Sequence, residues 1–392
     1  MPGPTLELAD IFRQHGPAYR QAHPLPLHQH RLMQAIETCR TEVLGGAVEW
    51  CEHCQYTHTL YRSCRNRHCP KCQGLARAQW LEQRRGELLP VEYFHLVFTL
   101  PQPLRDIAFY NKELVYDLLF RATAETLLTL GRDPQRLGVE MGFFAVLHTW
   151  GQNLHFHPHL HCVVPGGGLS ADQDRWIHGR RQFLLPGSVL SQLFRRLMLQ
   201  ALEKAHAAGK LQFFGELEPL RDSQAFARYL DPLRECKWVV YAKAPLGGPQ
   251  HVLEYLGRYT HRVAISNQRL LALQEGQVSF NWKDYRDQQQ KIMTVAAEDF
   301  IRLFLQHALP PGFQRIRYFG FLANCHRAKK LQLCRRLLAT LCSLLLPRPA
   351  DCRDFLKALQ GKFKLCPRCG IGVLTTLRIL LPCHGPVALD SS

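Results

Sequence analysis

The sequence predicts an α+β fold, in which a mostly antiparallel central sheet is flanked by helices and preceded by a small zinc-ribbon-like module. The first observation is that β-branched and aromatic segments interleave irregularly with helical ones instead of alternating with them. The second is that cysteines cluster near both ends of the chain. The third is length, since 392 residues suffice for two or three domains with a buried core.

Apolar periodicity assigns each element in order. Helices are predicted in two short segments within about 1–48, then at 76–89, 107–130, 190–208, 251–260 and 299–307. Strands are predicted at 93–100, 142–150, 160–164, 238–242, 278–282 and 292–295, and basic strand and helix segments at 315–346. We expect three parts: a helical, zinc-binding and DNA-binding module at 1–90, a catalytic domain at 91–346, and a tail at 347–392.

The charge balance favours a polyanionic partner. Lys plus Arg number 49 against 32 Asp plus Glu, a formal net charge of +17. The longest apolar run, 337–346, is too short to span a membrane, which favours nucleic acid over a membrane surface. The first residues, MPGPTLELADIF, show no secretory pattern, so we expect a cytoplasmic protein whose 15 cysteines are reduced thiols or metal ligands.

The N-terminal cysteines predict a structural zinc site. Cys51-x2-Cys54 and Cys69-x2-Cys72 have the spacing of a zinc ribbon, in which two CxxC turns complete one tetrahedron. Metal binding would substitute for the core that this polar stretch lacks. Three further donors leave the ligand set open: Cys64, His68 and His58.

A histidine-rich strand predicts a second, catalytic metal site. His159 and His161 are two residues apart, so in a strand both imidazoles point to one face. Such a pair leaves coordination positions open, as catalytic sites require. Gln152 is the preferred third ligand and His157 the alternative. An amide oxygen suits Mg²⁺ or Mn²⁺. Pro158 is expected to interrupt the ladder, leaving His157 on an approach loop.

The segment HVLEYLGRYTHR carries two candidate nucleophiles. Tyr255 and Tyr259 are four residues apart, on one face of a helix, and each is followed after three residues by a cation, Arg258 or Arg262. A tyrosine hydroxyl has an ordinary pKa near 10 and needs cationic help to attack phosphorus. An isolated pair of this kind is most often core packing, but the metal site upstream favours catalysis.

The C-terminal part offers two weaker features. Cys366 and Cys369, with Cys383 and His384, could form a second zinc site of three cysteines and one histidine. Basic residues between 315 and 336 are candidates for DNA backbone contacts. Within them, Tyr318 and Phe319 could stack on unpaired bases or pack as core residues.

Taken together, these motifs resemble the rolling-circle transposases of bacterial insertion sequences, the two-tyrosine members of the HUH endonuclease group. The resemblance covers most of the chain. It is carried by SCRNRHCPKCQ at 63–73, HTWGQNLHFHPHLHCVVPGGGL at 148–169, YLGRYTHRVAIS at 255–266 and RYFGFLANCHR at 317–327.

The resemblance implies an HUH nuclease core with the histidine pair on a central strand. It further implies that Tyr255 or Tyr259 attacks single-stranded DNA at a transposon end, giving a 5′-phosphotyrosine and a free 3′-hydroxyl. The second tyrosine or a 3′-hydroxyl would then complete strand transfer, with no nucleotide triphosphate. The sequence agrees, because it has no GxxxxGK[ST] loop.

Three alternatives remain open at this point. A plasmid-type replication initiator or relaxase shares the histidine pair and the tyrosine, but the zinc motif and the lack of a helicase segment favour a transposase. A metallohydrolase would need further ligands such as HxHxDH, which does not occur. A non-catalytic zinc-dependent DNA-binding protein would form no covalent DNA adduct. The pattern specifies no oligomeric state.

Overall fold

The fold was analysed in a computed structural model of the chain. The structure describes residues 6–180, 184–246, 257, 262–284, 287–339 and 365–383. The predicted helix at 251–260, with Tyr255, Arg258 and Tyr259, therefore lies outside the described residues except for Gly257.

The described helices lie mostly where the apolar periodicity predicts them. They are α1 Leu8–Ala22, α2 Leu27–Thr38, α3 Gln73–Arg85, α4 Leu104–Tyr110, α5 Lys112–Arg132, α6 Gly187–Ala207, α7 Ser223–Glu235, α8 Ala297–Leu305 and α9 Arg327–Ala339. The predicted helix at 107–130 is in fact two helices, divided at Asn111. The side-chain amide of Asn111 bonds the carbonyls of Ile107 and Gln212, which fixes the bend between them.

The strands form one large sheet and three small ones. They are β1 Gly46–Cys51, β2 Thr57–Tyr61, β3 Tyr93–Thr99, β4 Gly142–Trp150, β5 Phe156–Pro165, β6 Gly167–Leu169, β7 Trp176–His178, β8 Val240–Leu246, β9 Leu270–Gln274, β10 Gln277–Lys283, β11 Gln290–Ala296, β12 Ile316–Gly320 and β13 Leu374–Leu380. The central sheet has the order β12-β4-β5-β3-β8, and each neighbouring pair is antiparallel. The predicted α+β class with an antiparallel sheet is confirmed.

The central sheet is covered on both faces. Leu96, Leu147 and Leu160 point into a large core built with the helices α4 to α7. The opposite face carries Val146 and Val163, which pack with apolar residues of α9. Because side chains alternate along β5 after the proline, His159 and His161 share the face of Val163. The sheet therefore presents the histidines on the side away from its main core.

Strand β5 begins earlier than the sequence predicts. It starts at Phe156, so His157 lies in the strand and not on an approach loop, and Pro158 lies inside the strand. The proline is accommodated because its carbonyl still accepts a bond from the Leu100 N–H. The register with β4 shifts between His148 and Trp150, which pair with His159 and Phe156, so the ladder is interrupted at Pro158 as expected. The placement of His157 on an approach loop was wrong, because the strand already begins at Phe156.

The N-terminal helices join a second core. α1 and α2 pack with α8 and with the meander β9–β10–β11, and Trp150 and Leu154 of the central domain enter the same cluster. The residues that end β4 thus contact the N-terminal module. Within the described parts of the chain, no helix combines the length and apolarity needed to cross a bilayer.

Candidate functional site

Three buried histidines meet on the face of the β4–β5 pair that is turned away from the main core. His148 on β4 is directly opposite His159 on β5, and His161 follows two residues later. One ring nitrogen from each lies within 4.8 Å of the others. The antiparallel register brings His148 to the pair, since cross-strand partners have closely spaced side chains.

The Nε2 atoms of the two histidines on β5 lie close together. Nε2 of His159 and Nε2 of His161 are 3.1 Å apart. Two nitrogens bound to one cation at about 2.1 Å would subtend roughly a right angle at that separation. Nδ1 of His159 donates to the carbonyl of His157 at 2.6 Å, which leaves its Nε2 with a free lone pair. Nδ1 of His161 also has a partner, since it lies 2.8 Å from Nε2 of His95.

Burial keeps these imidazoles neutral. Burial, which outweighs the opposing bond to the His157 carbonyl, lowers the pKa of His159 to about 4, together with the positive charges of Arg262 and Arg105. Burial also holds the pKa of His161 well below its usual value, with contributions from His148 and the neighbouring rings. Neutral imidazoles can bind a cation near neutral pH without first losing a proton.

The third histidine differs from the predicted third ligand. The sequence favoured Gln152, with His157 as alternative, whereas the structure brings His148 to the pair. Gln152 lies in the β4–β5 turn, and its carbonyl accepts a bond from Arg269. Nδ1 of His157 instead accepts a bond from Nη2 of Arg105 at 2.8 Å, which occupies that nitrogen. Sequence reasoning missed His148 because the contact depends on strand register.

Cations flank the histidine cluster. Arg105, the second residue of α4, lies close enough to lower the pKa of His157 and His159. Arg262 affects both His159 and His161, and its carbonyl accepts a bond from the buried Arg315 at 3.0 Å. A negatively charged group at the histidines would therefore face two guanidinium groups. Of the predicted catalytic residues Tyr255, Tyr259, Arg258 and Arg262, only Arg262 is among the described residues.

The cysteines form two groups of four, in a pairing other than the predicted one. Cys51 and Cys54 meet Cys366 and Cys369 from the C-terminal part. Antiparallel pairing of β1 with β13, in which Cys51 is opposite Leu374, brings the two CxxC turns together. Backbone N–H groups, Gly372 first, lower the pKa of Cys369 to about 6. Cys383 is exposed, donates to the Glu42 carbonyl, and is not part of this group, while His384 lies outside the described residues.

The second group consists of Cys39, Cys64, Cys69 and Cys72. Cys39 ends helix α2 and was missed, because its position fits the apolar face of that helix. The idea that Cys51, Cys54, Cys69 and Cys72 share one tetrahedron was thus wrong. Cys64 is included, whereas His68 and His58 are not. Nε2 of His68 accepts a bond from the Leu309 N–H, and the His58 ring stacks on Tyr56.

Both groups fit zinc by their geometry. The Sγ–Sγ distances are 3.6 Å for Cys39–Cys72 and for Cys64–Cys72. In the other group they are 3.5 Å for Cys54–Cys366 and 3.8 Å for Cys51–Cys369. A tetrahedron with Zn–S bonds of about 2.3 Å has edges of about 3.8 Å. Four thiols at such spacing without a disulfide are the donor set of a structural zinc site.

The basic segment near the C-terminus is largely used for internal contacts. Arg317 pairs with Asp117 and lies over the Phe120 ring, Lys330 pairs with Glu140, and Arg327 pairs with Glu87. Of the two aromatic residues proposed to stack on bases, Tyr318 accepts a bond from Arg84 and Phe319 stacks on Phe143. Their core role is the one found.

Comparisons with known proteins agree with this site. A family model described as "Putative transposase" matches residues 142–330, which include all three histidines. A model described as "Transposase zinc-binding domain" matches residues 11–100, which include the cysteines at 39, 51, 54, 64, 69 and 72. No solved structure matches the chain.

Two curated proteins are similar over most of their length. "Putative transposase y4qJ" of Sinorhizobium fredii is 56% identical over 389 residues, 97% of either chain. "Transposase for insertion sequence element IS801" of Pseudomonas savastanoi is 32% identical over 302 residues, 73% of this chain and 68% of the relative. The zinc-binding thiols, the histidine-bearing sheet and these likenesses together place the chain in one family: it belongs to the IS91-type transposases of insertion sequences, with an N-terminal zinc-binding domain.

Proposed function

We propose that this transposase nicks and rejoins single-stranded DNA at transposon ends through a 5′-phosphotyrosine, with a divalent cation at His148, His159 and His161. The observation that carries the proposal is the convergence of the two Nε2 atoms on β5, each with its Nδ1 occupied. This is a preformed set of neutral nitrogen donors with open positions left for a phosphate.

The donor set bears on the choice of cation. Mg²⁺ binds oxygen ligands almost exclusively, whereas three imidazoles suit a cation that also accepts nitrogen. We therefore expect Mn²⁺ to support the reaction better than Mg²⁺. The bound cation would supply charge neutralisation at the phosphate undergoing attack.

The nucleophile is proposed to come from the segment 255–262. Two of its described residues support this placement: the buried Gly257, whose carbonyl accepts a bond from Arg77 of α3 at 3.5 Å, and Arg262 at the histidines. Arg258 and Arg262 would spread the charge that develops on the phosphate oxygens.

The proposed cleavage step requires no reactant other than the protein and the DNA. The phenol oxygen forms a bond to phosphorus, and the bond between phosphorus and the 3′ oxygen breaks. The phenolic proton passes through solvent to the departing 3′ oxygen, which becomes a free hydroxyl. The phosphotyrosine keeps the phosphoester bond, so a 3′-hydroxyl can attack it and rejoin the strand. We expect this chemistry to take place in the cytoplasm, where bacterial DNA is found.

A covalent adduct assay tests the proposal. The full chain is incubated with Mn²⁺ and a labelled random-sequence pool of single-stranded DNA, then separated under denaturing conditions. We expect a labelled protein band that is lost in the double variant Tyr255→Phe/Tyr259→Phe and in His161→Ala. Each single tyrosine variant reports which hydroxyl reacts first, and peptide mapping identifies the modified residue.

The matched control is Tyr241→Phe, which removes the hydroxyl of an exposed tyrosine on the edge strand β8. This variant should form the adduct as the unmodified protein does. An adduct that persists in the double variant would overturn the assignment of the nucleophile. DNA binding with no adduct in the unmodified protein would favour a non-catalytic DNA-binding function instead.

A further inference from the structure

A strip of partly exposed aromatic rings leads away from the histidine cluster. It consists of Phe156, Phe109, Tyr110 and Phe214, here called the aromatic strip. Ring centroids are 5.6 Å apart for Phe156–Phe109, 5.4 Å for Phe109–Tyr110 and 5.3 Å for Tyr110–Phe214. Phe109, Tyr110 and Phe214 are 38%, 44% and 46% exposed, so their rings are not needed to fill the core.

The strip begins beside the candidate metal site. Helix α4 carries Arg105 and Phe109 four residues apart, on one helical face. Arg105 bonds His157, whose ring centroid is 5.2 Å from that of His159, and Phe109 contacts Phe156, the residue before His157. By strand rise, Phe156 is only about 10 Å along β5 from His159.

Two cations accompany the rings. Nζ of Lys112 lies 5.1 Å from the centre of the Phe109 ring and 6.0 Å from that of Phe156. It is held there by bonds to the carbonyls of Gln306 and Ala308. Arg105 occupies the end next to the histidines, and its Nε is buried without a hydrogen-bond partner among the described residues. Exposed rings bordered by cations are the chemistry that binds unpaired bases and their phosphates.

We propose that the aromatic strip stacks unpaired bases of single-stranded DNA and so positions a phosphate at the histidine cluster. The choice of single-stranded DNA as the ligand rests on the proposed function. A protein partner would also accept exposed rings, but the adjoining arginine, the lysine and the net charge of +17 favour a polyanion.

The experiment measures binding with no added Mn²⁺, so that no chemistry occurs. Fluorescence anisotropy at one fixed salt concentration compares an oligo(dT) strand with an abasic strand of the same length and charge. The protein should bind oligo(dT) more tightly, because only this strand has bases to stack. In Phe109→Leu/Tyr110→Leu the affinity for oligo(dT) should fall by about 5- to 20-fold while that for the abasic strand is unchanged.

The matched control is Phe109→Tyr/Tyr110→Phe, which keeps both rings and should bind oligo(dT) as the unmodified protein does. Phe214→Leu is a second, separate variant, in the loop before the short helix at 215–221. It should weaken binding of oligo(dT) and leave binding of the abasic strand unchanged. The thermal midpoint of each variant reports whether it remains folded. Equal losses on both strands, or no loss in either leucine variant, would overturn the proposal.

The binding experiment and the adduct assay can refute their two proposals independently. If the unmodified protein forms no adduct but still discriminates oligo(dT) from the abasic strand, the phosphotyrosine chemistry is wrong and the aromatic strip stands. If the adduct forms but the leucine variants bind both strands normally, the strip is structural and the chemistry stands.

Discussion

Nε2 of His95 lies 2.8 Å from Nδ1 of His161, and the two buried rings are stacked at 10° with centroids 5.1 Å apart. His95 is on β3, the neighbour of β5 on the side away from His148. In the tautomer that presents the Nε2 lone pair of His161 to a cation, its Nδ1 carries the proton and donates to His95. His95 thus fixes both the orientation and the tautomer of a candidate ligand, a role that outer partners of metal-bound histidines commonly have.

Replacing this partner should weaken metal binding. We expect His95→Ala to lower the Mn²⁺ affinity by about 10- to 100-fold, because the His161 ring loses the acceptor that holds it. The measurement is the electron paramagnetic resonance signal of free Mn²⁺ during titration of the zinc-loaded protein. His178→Ala, which removes an exposed histidine on β7, is the control and should bind normally. An unchanged affinity in the His95 variant would mean that this bond has no part in holding a cation.

The sequence predicted two of the four histidines in this cluster. Alternation along one strand places His159 and His161 on the same face, and that inference needs no tertiary information. His148 and His95 come from the two neighbouring strands, so their approach depends on strand order and register. Local pattern does not specify either property, so the sequence offered Gln152 as the third ligand and did not find His148.

The second prediction concerns the number of zinc ions. We expect two per chain, one in each cysteine group. The double variant Cys366→Ser/Cys369→Ser should retain one, because Cys51 and Cys54 alone leave the tetrahedron incomplete. Metal analysis by mass spectrometry counts them. Since β13 pairs with β1 beside this site, limited proteolysis should also release the C-terminal segment faster.

The control for this prediction is Cys236→Ser, an exposed cysteine outside both groups. It should keep two zinc ions and the proteolysis rate of the unmodified protein. Two ions in the double variant would show that the C-terminal thiols are not ligands.

The grouping of the cysteines shows that motif spacing does not predict which CxxC turns share one metal site. The two cysteines of each CxxC turn lie in the same group, as predicted, because that geometry is local. Which pair completes which tetrahedron depends on β1 pairing with β13, more than 300 residues away along the chain. Cys39 gave no separate signal, because a buried cysteine at the end of an amphipathic helix fits either an apolar or a metal-binding role.

The third prediction is a pH dependence of stability from His307. This buried side chain donates from Nε2 to the Leu154 carbonyl at 2.9 Å and accepts from Thr149 at Nδ1. Burial lowers its pKa from 6.5 to about 3. Between these values the unfolded chain binds more protons than the folded one, so stability rises with pH through this window and is lost as pH falls. The slope from this residue is at most about 1.4 kcal/mol per pH unit.

His307→Gln removes the titrating group while keeping a hydrogen-bonding amide. We expect its free energy of unfolding to fall less steeply than that of the unmodified protein between pH 6.5 and pH 5, as measured by urea denaturation. The variant is compared at each pH with His178→Ala, whose exposed ring should leave the slope unchanged. Parallel slopes for all three proteins would contradict a neutral buried His307.

The fourth prediction concerns the close packing of β12 against β4. Gly320 has φ +59° and lies opposite Gly142, and a Cβ at Gly320 would come within 1.7 Å of the Met141 carbonyl oxygen. An alanine there meets both an unfavourable backbone conformation and a backbone atom that has no room to move. We expect Gly320→Ala to lower the free energy of unfolding by roughly 3 kcal/mol or more, measured by urea denaturation. Gly276→Ala is the matched control, since Gly276 has φ +71° but open space around it, and should cost only about 1 kcal/mol. If both variants lose the same free energy of unfolding, the glycine is required only for its backbone conformation. Close packing of β12 on β4 would then not explain it.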